Sequence, residues 1–152
     1  MSDHERTDLL ETLGKHRWLL RHTVDGLTDE QAALTPTASE LCLDGLIKHV
    51  ALTESQWVDF IVQGTQAMQP SGGEPDYEGH ANSFRMLDGD TLTGVLERYE
   101  AVARRTDELL ASLPDLDASH ALPEAPWFEP VGVEERVEAV DHASTVPTPP
   151  PA

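Results

Sequence analysis

The stretch from Leu41 to Val62 constrains the fold most, because it reads as one long amphipathic helix. Leu46, Val50, Trp57 and Ile61 recur at spacings of three, four or seven residues, which places them on one face of a helix. Ile47, Thr53, Glu54 and Phe60 fall on its flanks. The helix is expected over about 43–66, and at ~1.5 Å per residue it would span roughly 35 Å, enough to cross a small bundle. His49 sits beside Leu46 and Val50 on the apolar side. A histidine there is either a core residue with a hydrogen-bond partner or a ligand turned into the bundle. Spacing alone favours the first reading, because a metal site needs several ligands.

Two further helical patterns flank this one. Leu9, Leu10, Leu13, Leu20 and Val24 give a first helix over about 5–25, stopped at Gly26. Thr28 with Gln31 forms a capping-box pattern, which supports only a short turn because Pro36 follows. Residues 67–89 carry turn chemistry around Pro70, Gly72, Gly73 and Pro75. Tyr77, His80, Phe84, Met86 and Leu87 suggest that the second half of this connection folds back onto the bundle, with His80 exposed. A third helix is expected after a cap at Asp90, with Leu92, Val95, Leu96, Tyr99, Val102, Ala103, Leu109 and Leu110 on its apolar face, ending at Leu113–Pro114. Pro123, Pro126 and Pro130 keep the next segment extended.

Composition narrows the class of partner. The chain has 152 residues, which suits one domain with one core. Its 28 acidic and 10 basic residues give a net charge of −18. A protein that grips a nucleic-acid backbone needs a basic face, so nucleic acid is not an expected partner. An anionic membrane surface is disfavoured for the same reason. No basic leader or membrane-length apolar run is visible, and the single cysteine, Cys42, excludes an internal disulfide. The expectation is a cytoplasmic protein. Cys42 reads as a buried structural thiol.

Residues Gly45–Ala51, followed by Glu54 and Trp57, resemble the second helix of the DinB-like (YfiT-like) metalloenzymes. The branch is similar to mycothiol-dependent maleylpyruvate isomerase and related thiol transferases. The resemblance covers about Arg6 to Pro130 and includes Gly26–Ala32, Leu113–Leu116 and Ala125–Phe128. It implies an all-α, antiparallel up-and-down four-helix bundle, over residues 4–143. It also implies a divalent metal, Zn or Ni, held by three histidines, one on the second helix and two from an HxxxH pair on the last. Such a metal would activate a low-molecular-weight thiol for transfer to, or isomerisation of, a small-molecule substrate. Bundles of this kind often form homodimers.

His49 matches the first metal ligand of the resemblance, and the chain contains no HxxxH. Val133, Val137 and Val140 allow a fourth helix of only two or three turns, short or defective, before a Pro-rich tail at 144–152. His142 is the one histidine there that docking of this helix would offer as a second ligand. His16 is held in reserve, and Glu54 is assigned to support the site from behind its ligands or to an ion pair. Loss of resemblance near Pro130 is what a replaced or frame-shifted C-terminus would produce. An incomplete site would leave a non-catalytic binding or stress-response protein on the same scaffold.

Overall fold

The structure, a computed structural model, describes residues 3–69 and 76–123. The chain divides into two units, Met1–Ala121 and Leu122–Ala152, and the second lies almost wholly outside the described residues. So do the expected fourth helix, His142, the domain end near 143 and the tail.

All regular structure among the described residues is helical. Three long helices dominate: α1 (Asp3–His22), α3 (Leu43–Gln63) and α5 (Leu92–Ser112), with short helices α2 (Asp29–Ala32) and α4 (Tyr77–Ser83) between them. No helix among the described residues is long and apolar enough to cross a membrane. The local signals explain several of these boundaries. Gly26 takes φ 75°, a left-handed conformation that costs glycine little, at the turn after α1. The Thr28 hydroxyl accepts from Gln31 N while the Gln31 side chain accepts from Thr28 N, closing the expected capping box. At α5 the cap is Thr91 rather than Asp90: its hydroxyl accepts from Gly94 N at 3.1 Å. Asp90 instead accepts from Lys48 Nζ at 2.7 Å and from Leu87 N at 3.0 Å. That pairing holds the Asp90 carboxyl below the usual aspartate range, chiefly through the Lys48 hydrogen bond.

The helix directions follow from the cross-helix ties. Arg6 at the start of α1 donates to the Leu110 and Leu113 carbonyls at the end of α5, and Arg21 at the end of α1 pairs with Glu100. These two helices are antiparallel. Ties from α3 instead advance along both helices together, from Lys48–Asp90 to Asp59–Arg105. Thus α3 and α5 run the same way, and the connection through 64–91 is a crossover rather than a hairpin.

The core joins Val24, Ala32, Ile47, Ala51, Leu92, Val95 and Tyr99, with Leu20, Leu27, Val50, Met86 and Leu96 against them. On α3 the buried stripe is displaced from the expected one. Ile47, Ala51 and Val58 are buried, whereas Trp57 and Ile61 are 41% and 37% exposed. The small side chain of Ala51 lies beside fully buried Ile47, so α3 turns this narrower side toward α5. Complete burial of a side chain such as Ile47 is worth about 2–3 kcal/mol.

Among the described residues the buried charged groups are Arg17 and Asp44, and Arg17 is the one that ties the three long helices together. Arg17 of α1 donates to Glu54 of α3 at 2.5 Å and to Asp107 of α5 at 2.7 Å. Thr106 donates to the same Glu54 oxygen at 2.6 Å. Burial alone would depress the Arg17 pKa, but its carboxylate partners outweigh that and leave it raised. Removing one member of such a set strands the others in a poorly solvated position. Arg17→Ala should therefore lower the unfolding free energy by about 3 kcal/mol in a urea titration. Arg17→Ala combined with Glu54→Gln should cost less than the sum of the single changes. A fully additive pair would mean that the three helices are not coupled through this contact.

Candidate functional site

The site is built where α4 closes onto the first turns of α3. Gly45 permits the approach. A Cβ at that position would lie 2.0 Å from the Phe84 carbonyl oxygen and 2.8 Å from Cys42 Sγ. A glycine early in a helix is unfavourable by itself, so the close approach of Phe84 explains its placement. Asp76 caps α4 by accepting from Gly79 N at 2.7 Å, and the helix ends beside His49.

The His49 ring is fixed on several sides. Its face stacks on Phe84 with centroids 3.6 Å apart and planes 18° from parallel. Its Nδ1 lies 2.8 Å from Ser83 Oγ, and the Ser83 hydroxyl donates to the His80 carbonyl at 2.6 Å. A hydroxyl has one proton, and here the carbonyl takes it. The Ser83 oxygen can then only accept from His49, so the His49 proton is assigned to Nδ1. Nε2 is left with its lone pair, 3.4 Å from Thr53 Oγ1. Burial, then the proximity of His80, lowers the His49 pKa and favours the neutral ring. A neutral imidazole with Nδ1 anchored and Nε2 unprotonated is the form that ligates a metal or accepts a proton, and here the Thr53 hydroxyl is the group within reach of Nε2.

His80 is the neighbour that spacing did not single out. Its ring is edge-on to His49, centroids 5.7 Å apart, and edge-on to Phe84 at 5.4 Å. It was expected to be an exposed loop histidine, and it is exposed, but on a short helix that delivers it to His49.

The remaining expected residues lie elsewhere. Glu54 belongs to the Arg17 and Thr106 cluster. His16 is exposed, with Nδ1 2.8 Å from its own helix's Thr12 carbonyl. His22 stacks on Trp18 and pairs with Asp25. Cys42 occupies the cap position of α3, half-buried, with burial pushing its thiol pKa up, so it is not poised as a nucleophile. Beside it, a surface hollow of about 300 Å³ is lined by Leu41, Ala81 and Phe84 together with Ser39, Glu40 and Arg85. Phe84 therefore forms part of the hollow and also covers the His49 ring.

A family model described as Mycothiol-S-transferase matches residues 8–142. The chain belongs to the mycothiol S-transferase family. The match runs beyond Pro130, where the resemblance was expected to end, and takes in Val133, Val137, Val140 and His142. No curated protein and no solved structure matches the chain.

For a mycothiol S-transferase fold the ligand set decides whether a metal can be held. His49 fits on its own geometry, with a hydrogen-bonded Nδ1 and an unprotonated Nε2 whose one polar neighbour among the described residues is the Thr53 hydroxyl at 3.4 Å. Among the described residues, no group of three or more His, Cys, Asp or Glu side chains comes together around a possible ion. His142 lies outside the described residues.

The Gly45 contact yields a direct test. Alanine is the better helix former by roughly 1 kcal/mol. Gly45→Ala should nonetheless destabilise the protein, by about 2 kcal/mol or more, as overpacking does in a closed site. Chemical denaturation measures this, and a stabilised variant would show that Phe84 does not approach Gly45.

Proposed function

We propose that this member of the mycothiol S-transferase family is a metal-dependent enzyme that transfers a low-molecular-weight thiol of the mycothiol type to small electrophilic molecules, or uses it to isomerise them. The observation that carries the reading is the prepared Nε2 of His49, seen together with the family match over residues 8–142. His49 would hold the metal through Nε2, with His142 as the second ligand expected from the sequence. A bound divalent metal supplies positive charge that makes a thiol acidic enough to ionise near neutral pH.

The residues around His49 serve that chemistry. Ser83 keeps the ring from rotating and keeps the proton on Nδ1. Phe84 shields one ring face from water. The adjoining hollow, with apolar Leu41, Ala81 and Phe84 beside the Glu40–Arg85 ion pair, offers room for the body of a small substrate. In transfer the thiol gives its proton to water and its sulfur forms a bond to an electrophilic carbon, while that carbon's bond to its leaving group breaks and the leaving group departs with the electron pair.

A second reading is favoured by the absence of a three-ligand cluster among the described residues. On it, the bundle binds a small molecule without metal or turnover.

The two readings separate on untagged full-length protein, with metal stoichiometry and thiol transfer measured together. The enzyme reading expects near one Zn²⁺ or Ni²⁺ per chain, with binding lost in His49→Ala and turnover reduced by more than about 100-fold. Wild-type protein that takes up no metal after incubation with excess Zn²⁺ or Ni²⁺ would leave only the binding reading.

A further inference from the structure

Two histidines meet at the end of α4, and the proposed thiol chemistry uses only one of them. We propose that His80 is a second imidazole ligand for the ion that His49 holds. The proposal rests on the reading of His49 as a metal ligand and adds a residue from the crossover between α3 and α5.

Four observations support it. The first is distance. Two imidazoles bound to one tetrahedral ion, at about 2.0–2.1 Å from each nitrogen, set their ring centroids about 5 Å apart. The His49 and His80 centroids are 5.7 Å apart, so a small side-chain adjustment brings them to that spacing. The second is direction. His49 and Phe84 are stacked at 3.6 Å, and His80 lies 5.7 Å from one ring and 5.4 Å from the other. A ring nearly equidistant from two stacked neighbours lies beside the stack, at the rim of the His49 ring rather than over its face. Phe84 occupies a face of His49, where a ligand would meet no lone pair.

The third is tethering. The Ser83 hydroxyl that fixes His49 donates to the backbone carbonyl of His80 itself. One hydroxyl therefore sets the His49 tautomer and ties the His80 backbone to that ring. The fourth is freedom. Among the described residues no hydrogen bond holds the His80 ring, and the residue is exposed, so its side chain can turn a nitrogen inward at little cost. A pair of imidazoles on two short-range-tethered elements suits Zn²⁺, Ni²⁺ or Cu²⁺, with water or a thiol completing the shell.

The test uses full-length protein without a His tag. Zn²⁺ affinity is measured against a chromophoric chelator, and Cu²⁺ electron paramagnetic resonance counts bound nitrogens. The variants are His80→Ala, His80→Cys, His49→Ala and His142→Ala, each checked for helicity by circular dichroism. We expect His80→Ala to weaken Zn²⁺ binding at least about tenfold and to remove one nitrogen from the Cu²⁺ spectrum. His80→Cys, which keeps a zinc ligand, should restore most of the affinity. His49→Ala should abolish binding. Unchanged binding in His80→Ala, with binding still lost in His49→Ala, would overturn the role of His80 and leave His49 as a metal ligand. Wild-type protein that binds no metal would overturn both.

Discussion

The contact between the Phe84 carbonyl and Gly45 is the constraint on which the site depends. It exists because residue 45 has no side chain, and a Cβ there would sit 2.0 Å from that oxygen. With α4 drawn this close to α3, Ser83 reaches His49 Nδ1 and Phe84 covers the ring. Three consequences follow from one missing methyl group: a fixed ring plane, a fixed tautomer and a partly dry environment. Each is what a ligating or proton-accepting imidazole needs, and each comes from a segment whose turn chemistry alone suggested irregular structure.

The helical frame supports this arrangement by parallel packing. Because α3 and α5 run in the same direction, the chain must return along the length of the bundle between them. The crossover through 64–91 makes that return and carries α4 with it. A tight hairpin between α3 and α5 would leave no segment to close over His49. The Lys48 ties to Asp90 and to the Arg85 carbonyl fasten the end of this crossover one residue before His49. At the far side of the helices, Arg17 couples α1, α3 and α5 through two carboxylates, a polar link that substitutes for apolar packing.

Much of the frame is legible in the sequence. Leucine and valine periodicity gave α1, α3 and α5 to within a few residues, and Thr28 with Gln31 marked α2. On α3 the spacing of the large residues points to a different face from the one that packs. Trp57 and Ile61 have the right spacing, but the side that packs is set by Ala51, which is small, and by Ile47. The cap of α5 lies one residue past the expected Asp90, because Asp90 and Thr91 are both good caps and Lys48, distant in sequence, engages the aspartate. His49 was found from its helix and its neighbours. Its partners were not, because Ser83 and His80 are linked to it only by the crossover, and no periodicity reports a contact over more than thirty positions. The one available signal was the cluster of His80, Phe84 and Met86 in an otherwise turn-rich stretch. The alternation of a simple up-and-down bundle did not foretell the parallel pair, since sequence spacing fixes helices and not their directions.

The account turns on the claim that His49 presents an unprotonated Nε2 because its Nδ1 proton is held by Ser83. Two-bond ¹⁵N–¹H correlation spectra of histidine-labelled protein report that tautomer directly. We predict that His49 shows a protonated Nδ1 and an unprotonated Nε2 at neutral pH in the metal-free protein, and that Ser83→Ala shifts it toward the Nε2–H form. A His49 that is already Nε2-protonated in the wild-type protein, or a spectrum unmoved by Ser83→Ala, would contradict the claim.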